Sequence, residues 1–430
     1  MKQLTLLISI SLSITSYAHP NQFKDGDAYA IVANPGQNAR NEIRINWHTD
    51  LENTKSFCQY TLRCDTSWLQ AKTVMADQQL CTTFDGIYSK GTLGEDFYEN
   101  ARFLRCTVSL LGLEPGSEYM YRVGENQLSE AHFFKTAPLS GVWSMGIIAD
   151  IHTYSPLPKR LEAAMEMIGT LENQNGGEVD FMLHVGDVCA WGGSHSFWTT
   201  MYAQPHFAKY VWAGVNGNHD DMARGYAKQT NEYFRYVNSY PQNGYEGEEG
   251  VCYYFTYDNA LFIMLNNENM RDEEGLSLAQ EWVKEVITNN SADYIIVVEH
   301  YQWFFGEDGK DSHYARWKLL FDEYKVDLAI SANNHIYVRT NALYGDCETD
   351  GTIGTVYIQA PSSDNERGME MREWTSNKDI IKYRWTEGGN TVGAILMQTN
   401  PEKLHLILYD RYGNNLDEVS VLKKYNLQNL

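Results

Sequence analysis

Hydrophobic and polar positions alternate in short runs along residues 20–138. The runs EIRINWHTD, RFLRCTVSL, EYMYRVG and AHFFKTA are separated by turn residues, and the region contains no convincing long helix. Several short alternating strands with intervening turns are typical of a β-sandwich. Pro115-Gly116 predicts a turn, after which Tyr119 begins a strand where a tyrosine corner would lie.

The pattern changes at about residue 142, where apolar runs begin to alternate with helical segments. WSMGIIAD, FMLHVGD, YVWAGVNGNHD, ALFIMLNNE, YIIVVEH and VDLAISANNH predict strands, and RLEAAMEMIGTLE, LAQEWVKEVIT and YARWKLLFDEY predict helices. VGAILMQTN and KLHLILYD predict a closing hairpin. We therefore expect a layered α/β domain over residues 142–430, behind a β-sandwich over residues 20–138.

Charge and the first residues of the chain limit where the protein acts. The 430 residues carry a formal net charge of -22, which argues against nucleic acid or an anionic membrane as the main partner. Residues 1–18, MKQLTLLISISLSITSYA, predict a secretory signal peptide, because a lysine precedes a short apolar run and small residues follow it. That run is too short for a transmembrane anchor. We expect an exported protein, secreted, periplasmic or at the cell surface.

Seven cysteines accompany this expected export. Four of them, Cys58, Cys64, Cys81 and Cys106, precede residue 110, so two disulfide bridges are plausible there, with three pairings open. No pair has CxxC spacing, which argues against a zinc ribbon or a redox motif.

Polar residues follow five apolar runs where each predicted strand ends. They are Asp150 and His152, Asp187, Asn218 with His219 and Asp220, His300, and Asn333 with His335. The carboxyl ends of strands in layered α/β sheets form the active-site crevice, so we expect these side chains to meet at one edge. Mixed carboxylate and imidazole donors suit Zn, Fe or Mn. The sequence therefore predicts a metal site.

These segments resemble a known family. ADIH, HVGD, GNHD, VVEH and SANNH, in this order, are similar to the five metal motifs of the calcineurin-like metallophosphoesterases. The first domain, with LEPGSEYMYRVG and FKTAP, resembles the fibronectin type III-like N-terminal domain of purple acid phosphatases. The resemblance implies an all-β sandwich followed by an αββα metallophosphoesterase domain.

The resemblance also implies a role for each motif residue. Asp150, His152 and His335 would bind one metal ion, Asn218 and His300 would bind a second, and Asp187 would bridge the two. A hydroxide activated by the two ions would attack phosphorus in line. His219 would stabilise the phosphoryl oxygens or protonate the leaving group, and Asp220 would orient His219.

Three positions depart from the pattern of the purple enzymes. Ala190 stands where they have a tyrosine ligand, which argues against purple colour and a strong preference for Fe(III). His152 is the second departure: the purple enzymes usually lack a ligand histidine at this position, whereas the wider metallophosphoesterase superfamily has one. The last motif, Gly-His-x-His in the family, reads Ala332-Asn333-Asn334-His335 here, so the second metal exchanges an imidazole for a more weakly binding amide at Asn333.

Other histidines are less closely tied to the motifs. We expect His195 and His313 to lie in loops near the mouth of the site, where they would meet substrate or face the surface. His184, inside FMLHVGD, is interpreted as a core histidine.

Three functions follow from these observations. The first is an exported phosphomonoesterase that uses two metal ions, with a phosphate ester as substrate. The second is a phosphodiesterase of the same fold. The third is a surface binding or scaffold protein with a decayed metal site, a hypothesis motivated by Ala190 and Asn333.

Overall fold

The computed structural model describes residues 23–87, 97–154, 159–223, 229–304, 313–371 and 379–424. The predicted signal peptide, residues 1–18, lies outside the described residues. In the part of the chain described, no helix combines the length and the apolar character needed to cross a membrane.

Eight strands form the first part of the chain as two antiparallel sheets, in the orders β1-β2-β6-β5 and β4-β3-β7-β8. The strands are β1 (Ala28–Pro35), β2 (Glu42–Thr49), β3 (Phe57–Leu62), β4 (Lys72–Met75), β5 (Asp77–Ile87), β6 (Phe97–Leu111), β7 (Glu118–Gly124) and β8 (His132–Lys135). Buried side chains such as Trp47, Phe103 and Tyr121 fill the core of this sandwich. The hydroxyl of Tyr119 accepts a hydrogen bond from the backbone N–H of Glu114 at 2.9 Å, as expected of a tyrosine corner.

Two further sheets make up the second part of the chain. A six-stranded sheet has the order β11-β10-β9-β21-β22-β23, and a seven-stranded sheet has the order β12-β13-β14-β15-β19-β16-β20. Their strands are β9 (Ser144–Ile148), β10 (Phe181–Val185), β11 (Trp212–Val215), β12 (Tyr253–Tyr257), β13 (Ala260–Met264), β14 (Tyr294–Val298), β15 (Leu328–Ser331), β16 (Tyr337–Thr340), β19 (Val356–Gln359), β20 (Ile381–Trp385), β21 (Gly393–Asn400), β22 (Lys403–Asp410) and β23 (Asn415–Leu422). A small hairpin of β17 (Leu343–Tyr344) and β18 (Cys347–Glu348) lies apart.

Helices accompany the two sheets. They are α1 (Lys159–Asn175), α2 (His195–Tyr202), α3 (Pro205–Ala208), α4 (Glu232–Val237), α5 (Glu273–Asn289) and α6 (His313–Tyr324), with 3-10 helices at Asn267–Met270 and Gly388–Asn390. In α1 the buried Leu161, Ala164, Ile168 and Leu171 recur at helical spacing and pack toward the six-stranded sheet. Trp282 of α5 and Trp317 of α6 belong to the core over the seven-stranded sheet.

Aromatic side chains fill the space between the two sheets. Phe181 of β10 stacks on Tyr257 of β12 with ring centroids 4.2 Å apart, and Trp143 meets Phe262 of β13 at 6.1 Å. Strands β9, β10 and β11 run parallel, as do β13, β14, β15 and β19, so their carboxyl ends lie at the same edge of each sheet. The predicted fold, a β-sandwich followed by an αββα domain, is confirmed.

The sandwich is joined to the α/β part by buried contacts. His48 of β2 meets His195 of α2 across this interface, with 3.0 Å between Nδ1 of His48 and Nε2 of His195. Arg40 forms an ion pair with Asp258 at 2.9 Å, and Asn34 donates to the carbonyl of Trp212 at 2.9 Å.

The expected disulfides are absent, because all seven cysteines are free thiols. Cys81 and Cys106 lie on the neighbouring strands β5 and β6, but Cys106 is opposite Gln78 and Cys81 is opposite Phe103. Cys58 belongs to the other sheet, and Cys64 is exposed in a turn. The expectation of two bridges was wrong because the register of β5 and β6 keeps their thiols from facing each other.

Candidate metal centre

The polar strand ends of both sheets meet at the seam between them. Asp150, Asp187 and Asn218 follow β9, β10 and β11 of the six-stranded sheet. His300 and His335 follow β14 and β15 of the seven-stranded sheet. Each sheet therefore supplies only part of the predicted ligand set.

The carboxylate of Asp187 lies between two imidazoles. Its Oδ2 is 3.4 Å from Nε2 of His152 and 3.3 Å from Nε2 of His300. On the other side of the cluster, Nε2 of His335 is 3.6 Å from Oδ1 of Asp150. Because a Zn–N bond is about 2.0–2.1 Å, two ligands of one tetrahedral ion are about 3.3 Å apart. The observed spacings suit ions held between these atoms.

Several of these atoms are buried and have no hydrogen-bond partner. They are Oδ1 of Asp150, Nε2 of His152, Nε2 of His300 and Oδ1 of Asn218. A buried polar atom without a partner is costly, and such atoms are rare in native proteins unless they serve a site. Three groups of donors, Asp150–His152–His335, Asp150–Asp187–His300 and His152–Asp187–His219, have their atoms within 4.8 Å of one another. The residues present therefore fit bound metal ions.

In each of the three predicted ligand histidines, Nδ1 lies within hydrogen-bond distance of a backbone carbonyl. Nδ1 of His300 donates to the carbonyl of Val185 at 2.7 Å, and Nδ1 of His335 donates to the carbonyl of Arg367 at 2.5 Å. Nδ1 of His152 lies 3.0 Å from the carbonyl of Asp150. These acceptors fix the proton on Nδ1 and leave the lone pair of Nε2 toward the cluster, which is the usual arrangement behind metal-ligating histidines.

Burial and crowding of charge set the protonation of the cluster. Burial raises the pKa of Asp150 to about 7, with a further rise from the charge of Asp187. Burial acts in the same sense on Asp187, but the nearby His300 and His219 outweigh it and hold the pKa of that carboxyl well below its usual range. Burial lowers the pKa of His335 to about 3, so its imidazole is neutral and can act as a ligand.

The backbone around the cluster is bent into the left-handed region. Five predicted ligands have positive φ: Asp150 at 50°, His152 at 47°, Asp187 at 49°, Asn333 at 68° and His335 at 62°. Non-glycine residues seldom adopt this conformation, and it concentrates at functional sites.

Two glycines make room for the ligands. A Cβ at Gly186 would lie 2.5 Å from Nδ1 of His300. A Cβ at Gly217 would lie 2.1 Å from Oδ1 of Asp187. Both contacts are closer than real side chains tolerate, so only glycine allows these two strand ends to approach their neighbours.

His219 lies beside the cluster with its orientation fixed. Its backbone N–H donates to Oδ1 of Asp187 at 2.8 Å, and its Nδ1 donates to the carbonyl of Ala190 at 2.8 Å. Burial lowers the pKa of His219 to about 4, so the ring is neutral and presents the lone pair of Nε2.

The role given to Asp220 was wrong. Asp220 does not hold the ring of His219; its carboxylate accepts from the backbone N–H of Cys189 at 3.0 Å and of Gly217 at 2.8 Å. The carbonyl of Ala190 orients His219 instead, and Asp220 joins the loops after β10 and β11. Asp220 is adjacent in sequence to His219, but its side chain turns toward the chain that carries Asp187.

Asn333 turns its amide toward a neighbouring loop. Nδ2 of Asn333 donates to Oε1 of Gln302 at 2.5 Å, and the backbone N–H of Asn333 donates to Oδ2 of Asp150 at 3.2 Å. The backbone thus belongs to the cluster, while the side chain lines a cavity beside it.

The structure separates the two outlying histidines. His195 is not in a loop at the mouth of the site; it begins α2, is buried, and stacks on Phe103 of the sandwich with ring centroids 4.2 Å apart. Its ring contacts His48 and Phe103 of the sandwich. His313 begins α6 rather than lying in a loop, bonds Oε1 of Glu299 at 2.9 Å and lines the cavity beside Asn333. His184 is a buried core histidine, 3.4 Å from the hydroxyl of Tyr240, as interpreted from the sequence.

Two residues near the cluster were missed in the sequence. Oδ2 of Asp364 lies 3.2 Å from Nδ1 of His152, and its Oδ1 accepts from the backbone N–H groups of Glu366 and Arg367. The guanidinium of Arg367 is 3.5 Å from Nε2 of His219 and forms no ion pair with any carboxylate that the structure describes. Both residues follow the apolar strand β19, but they lie five and eight positions beyond its last residue, Gln359.

Comparison with known proteins identifies the two parts of the chain. A family model described as calcineurin-like phosphoesterase matches residues 144–337. A model described as the N-terminal domain of purple acid phosphatase matches residues 29–136.

Individual relatives are distant. Purple acid phosphatase 23 of Arabidopsis thaliana is 23% identical over 300 residues, which cover 61% of this chain and 63% of the relative. Probable inactive purple acid phosphatase 27 of the same plant is 22% identical over 274 residues, which cover 55% of this chain and 44% of the relative. The chain spans less than two thirds of the length of the curated relatives that it matches.

A solved structure shares the whole architecture. The purple acid phosphatase PPD1 from yellow lupin (Lupinus luteus) seeds superposes with a TM-score of 0.72 at 17% identity, over 93% of this chain and 75% of the lupin chain. At this identity the likeness shows the fold. The chain therefore contains a calcineurin-like phosphoesterase domain, preceded by a domain that matches the N-terminal domain of purple acid phosphatases.

Proposed function

We propose that this protein is a metal-dependent phosphatase that hydrolyses phosphate monoesters. The observation that carries the proposal is the set of buried ligand atoms without hydrogen-bond partners, contributed by both sheets to one cluster. In a scaffold protein that binds no metal, these unpartnered buried polar atoms would only destabilise the fold.

Two metal ions fit the donors of the cluster. Asp150, His152 and His335 would hold one, Asn218 and His300 would hold the other, and Asp187 would contact both. Mixed carboxylate and imidazole ligands suit Zn, Fe or Mn. When bound, the ions supply Lewis-acid activation of water and neutralise charge on the phosphate.

The residues beside the cluster would act on the ester itself. Arg367, whose guanidinium has no described carboxylate partner, is suited to bind the phosphoryl oxygens and to stabilise the charge that grows on them in the transition state. His219 presents Nε2 from the same side, because its Nδ1 proton is held by the carbonyl of Ala190. We assign His219 to proton transfer at the leaving oxygen, for which the negative charge of the bound ester must first bring the ring to its imidazolium form with a proton on Nε2.

We also propose that the protein is exported after removal of residues 1–18, and that residues 20–138 and 142–430 form its two domains. Support for export comes from the composition of the first residues. Support for the boundaries comes from the strand content on either side of residue 138, where β8 ends the sandwich before β9 begins.

The test combines metal analysis with an assay. Purified protein loaded with Zn, Mn or Fe is offered phenyl phosphate and bis-(p-nitrophenyl) phosphate across pH 4–9. We expect two metal equivalents and faster hydrolysis of the monoester. Asp187→Asn should lower the occupancy of both metals together, whereas Asp65→Asn, a change in a turn of the sandwich, should leave both intact.

Three results would contradict parts of the proposal. Bound metal without hydrolysis of either ester would count against the enzyme. A preference for the diester would replace the monoesterase with a diesterase. Full activity of Asp187→Asn would refute the bridging assignment.

A further inference from the structure

A cavity of about 210 Å³ opens beside the metal centre. Asn333 and Gln302 form the wall that it shares with the cluster. One water molecule needs about 10–15 Å³ of such a volume, so the cavity has room for a ligand much larger than water. This is the scale of a short chain with an acidic end.

The lining of the cavity is basic. Arg271, Arg316 and His313 all face it. The guanidinium of Arg271 is already paired with Glu268 at 2.6 Å. Within the described ranges, the guanidinium of Arg316 makes one hydrogen bond, to the carbonyl of Met270 at 3.3 Å. Arg316 forms no ion pair with any carboxylate in the part of the chain that the structure describes, so its guanidinium is suited to bind an anion in the cavity.

Neutral polar groups complete the cavity and tie it to the cluster. Oδ1 of Asn267 accepts from the backbone N–H groups of His300 and Tyr301, each at 2.6 Å. Nδ2 of Asn267 donates to Glu299, which also bonds His313. The loop that carries a predicted ligand, His300, is thus the same loop that shapes the cavity, and the two spaces have a fixed relation.

We propose that this cavity binds a second acidic group, a carboxylate or a phosphate, on the alcohol part of the substrate. The proposal rests on the proposed phosphatase function and adds the substrate class: short monoesters whose alcohol carries another anion. Arg316 recognises this anion, since a guanidinium matches carboxylate and phosphate oxygens in a fork of two hydrogen bonds. Asn333 stands where the family has a histidine. Its side-chain amide bonds Gln302, and these two residues close one wall of the cavity.

The first arm of the test is a matched substrate series. We compare kcat/KM for an alkyl monophosphate of three to five carbons with the same chain ending in a carboxylate and in a second phosphate. We expect at least about a tenfold preference for one or both acidic chains, through KM, because a hydrogen bond to a charged group contributes about that much. The acidic chain with the higher kcat/KM shows whether the cavity prefers a carboxylate or a phosphate.

The second arm changes the cation. Arg316→Gln should abolish the preference and leave hydrolysis of the uncharged-chain ester within about twofold of wild type. Lys318→Gln is the control, because it removes one positive charge from the same helix. Lys318 is paired with Asp346, so this variant should keep the preference. Equal rates for all esters in the wild type, or a preference retained in Arg316→Gln, would overturn the subsite.

The third arm needs no catalysis. Calorimetry measures binding of the hydroxyalkyl carboxylate and hydroxyalkyl phosphate products to wild type and Arg316→Gln. Tighter binding by wild type supports the subsite even if no ester is hydrolysed, which would then refute only the phosphatase function. Absence of binding to both proteins, together with hydrolysis of the uncharged-chain ester, would refute only the subsite.

Discussion

Asp187 stands at the centre of the cluster, and its geometry is set by groups on every side. Its Oδ2 meets two imidazoles, its Oδ1 accepts from the N–H of His219, and its backbone has φ of 49°. A left-handed non-glycine residue costs on the order of 1–3 kcal/mol, which the surrounding contacts must outweigh. We infer that the strain aims the carboxylate into the seam, where it serves both halves of the site.

Asn333→His tests whether a side chain at position 333 can add a ligand to the second ion. Histidine at this position would replace an amide with an imidazole, a stronger ligand for Zn, so the affinity for the second ion should rise by about tenfold or more. Competition with a metal chelator measures this affinity, and activity at limiting metal should rise with it. Asn334→His, one residue along, is the control. Equal affinities in Asn333→His and wild type would mean that residue 333 does not face the second ion.

Arg367→Gln tests the assignment of the phosphoryl oxygens. We expect kcat/KM to fall by about 10²-fold, the usual cost of losing a donor that stabilises developing charge. Metal content should not change, because Arg367 reaches the cluster through its backbone carbonyl, which the substitution keeps. Arg411→Gln, at a residue bonded to Asn365 in the same loop and to Glu166, is the matched control. Loss of metal in Arg367→Gln would show that the residue is structural.

At the scale of elements, the strand ends were the predictable part of the site. Buried parallel strands read as apolar runs, so their ends could be located, and five of them carry the ligands. The loop after β19 was overlooked because Asp364 and Arg367 lie five and eight positions beyond the end of the strand. His195 was misplaced because nothing in its neighbourhood shows that α2 packs on the sandwich.

Contacts that depend on register could not be predicted. The positions of Cys81 and Cys106 on neighbouring strands were compatible with a bridge until their pairing partners were known. Likewise, the adjacency of His219 and Asp220 does not reveal that the Asp220 side chain turns to Cys189 and Gly217. Such contacts are set by tertiary packing rather than by spacing along the chain.

Two glycine substitutions compare the crowded strand end with an ordinary helix position, through their effect on the free energy of unfolding. Gly217→Ala would place a Cβ 2.5 Å from the backbone nitrogen of Asp187, and overpacking of this kind costs about 1–3 kcal/mol of unfolding free energy. Metal affinity should fall with it. Gly169→Ala, in α1 with no atom within 4 Å of the new Cβ, should instead raise the free energy of unfolding by about 0.5–1 kcal/mol. Urea titrations measure both changes, and equal effects of the two substitutions would contradict the close approach at Gly217.

At the scale of the whole molecule, the interface between sandwich and α/β part contains a pair of neutral histidines. Nε2 of His48 donates to the carbonyl of Tyr236 at 2.7 Å, so its Nδ1 must accept from His195. Burial lowers the pKa of His48 to about 3 and that of His195 well below its usual range. Protonation of either ring would break this arrangement.

The pair makes stability depend on pH. Below about pH 6.5 the unfolded chain binds protons that the folded chain excludes, so stability is lost as pH falls toward 3. Between pH 7.5 and pH 5, His48 alone should account for about 2 kcal/mol of lost unfolding free energy. In His48→Gln, which keeps a donor for Tyr236, this difference should shrink by that amount. Urea titrations at the two pH values measure it, and an undiminished difference would contradict the role of His48.

The seam between the two sheets has a consequence for how tightly an ion is bound. Asp150 and Asp187 follow strands of the six-stranded sheet, and His300 and His335 follow strands of the seven-stranded sheet. An ion at the seam would therefore be bound by ligands from two sheets that share no strand. Any shift of one sheet relative to the other would move the ligands of one ion apart, and the aromatic packing between the sheets resists such a shift. The affinity for metal therefore depends on how firmly the two sheets of the α/β part are held together.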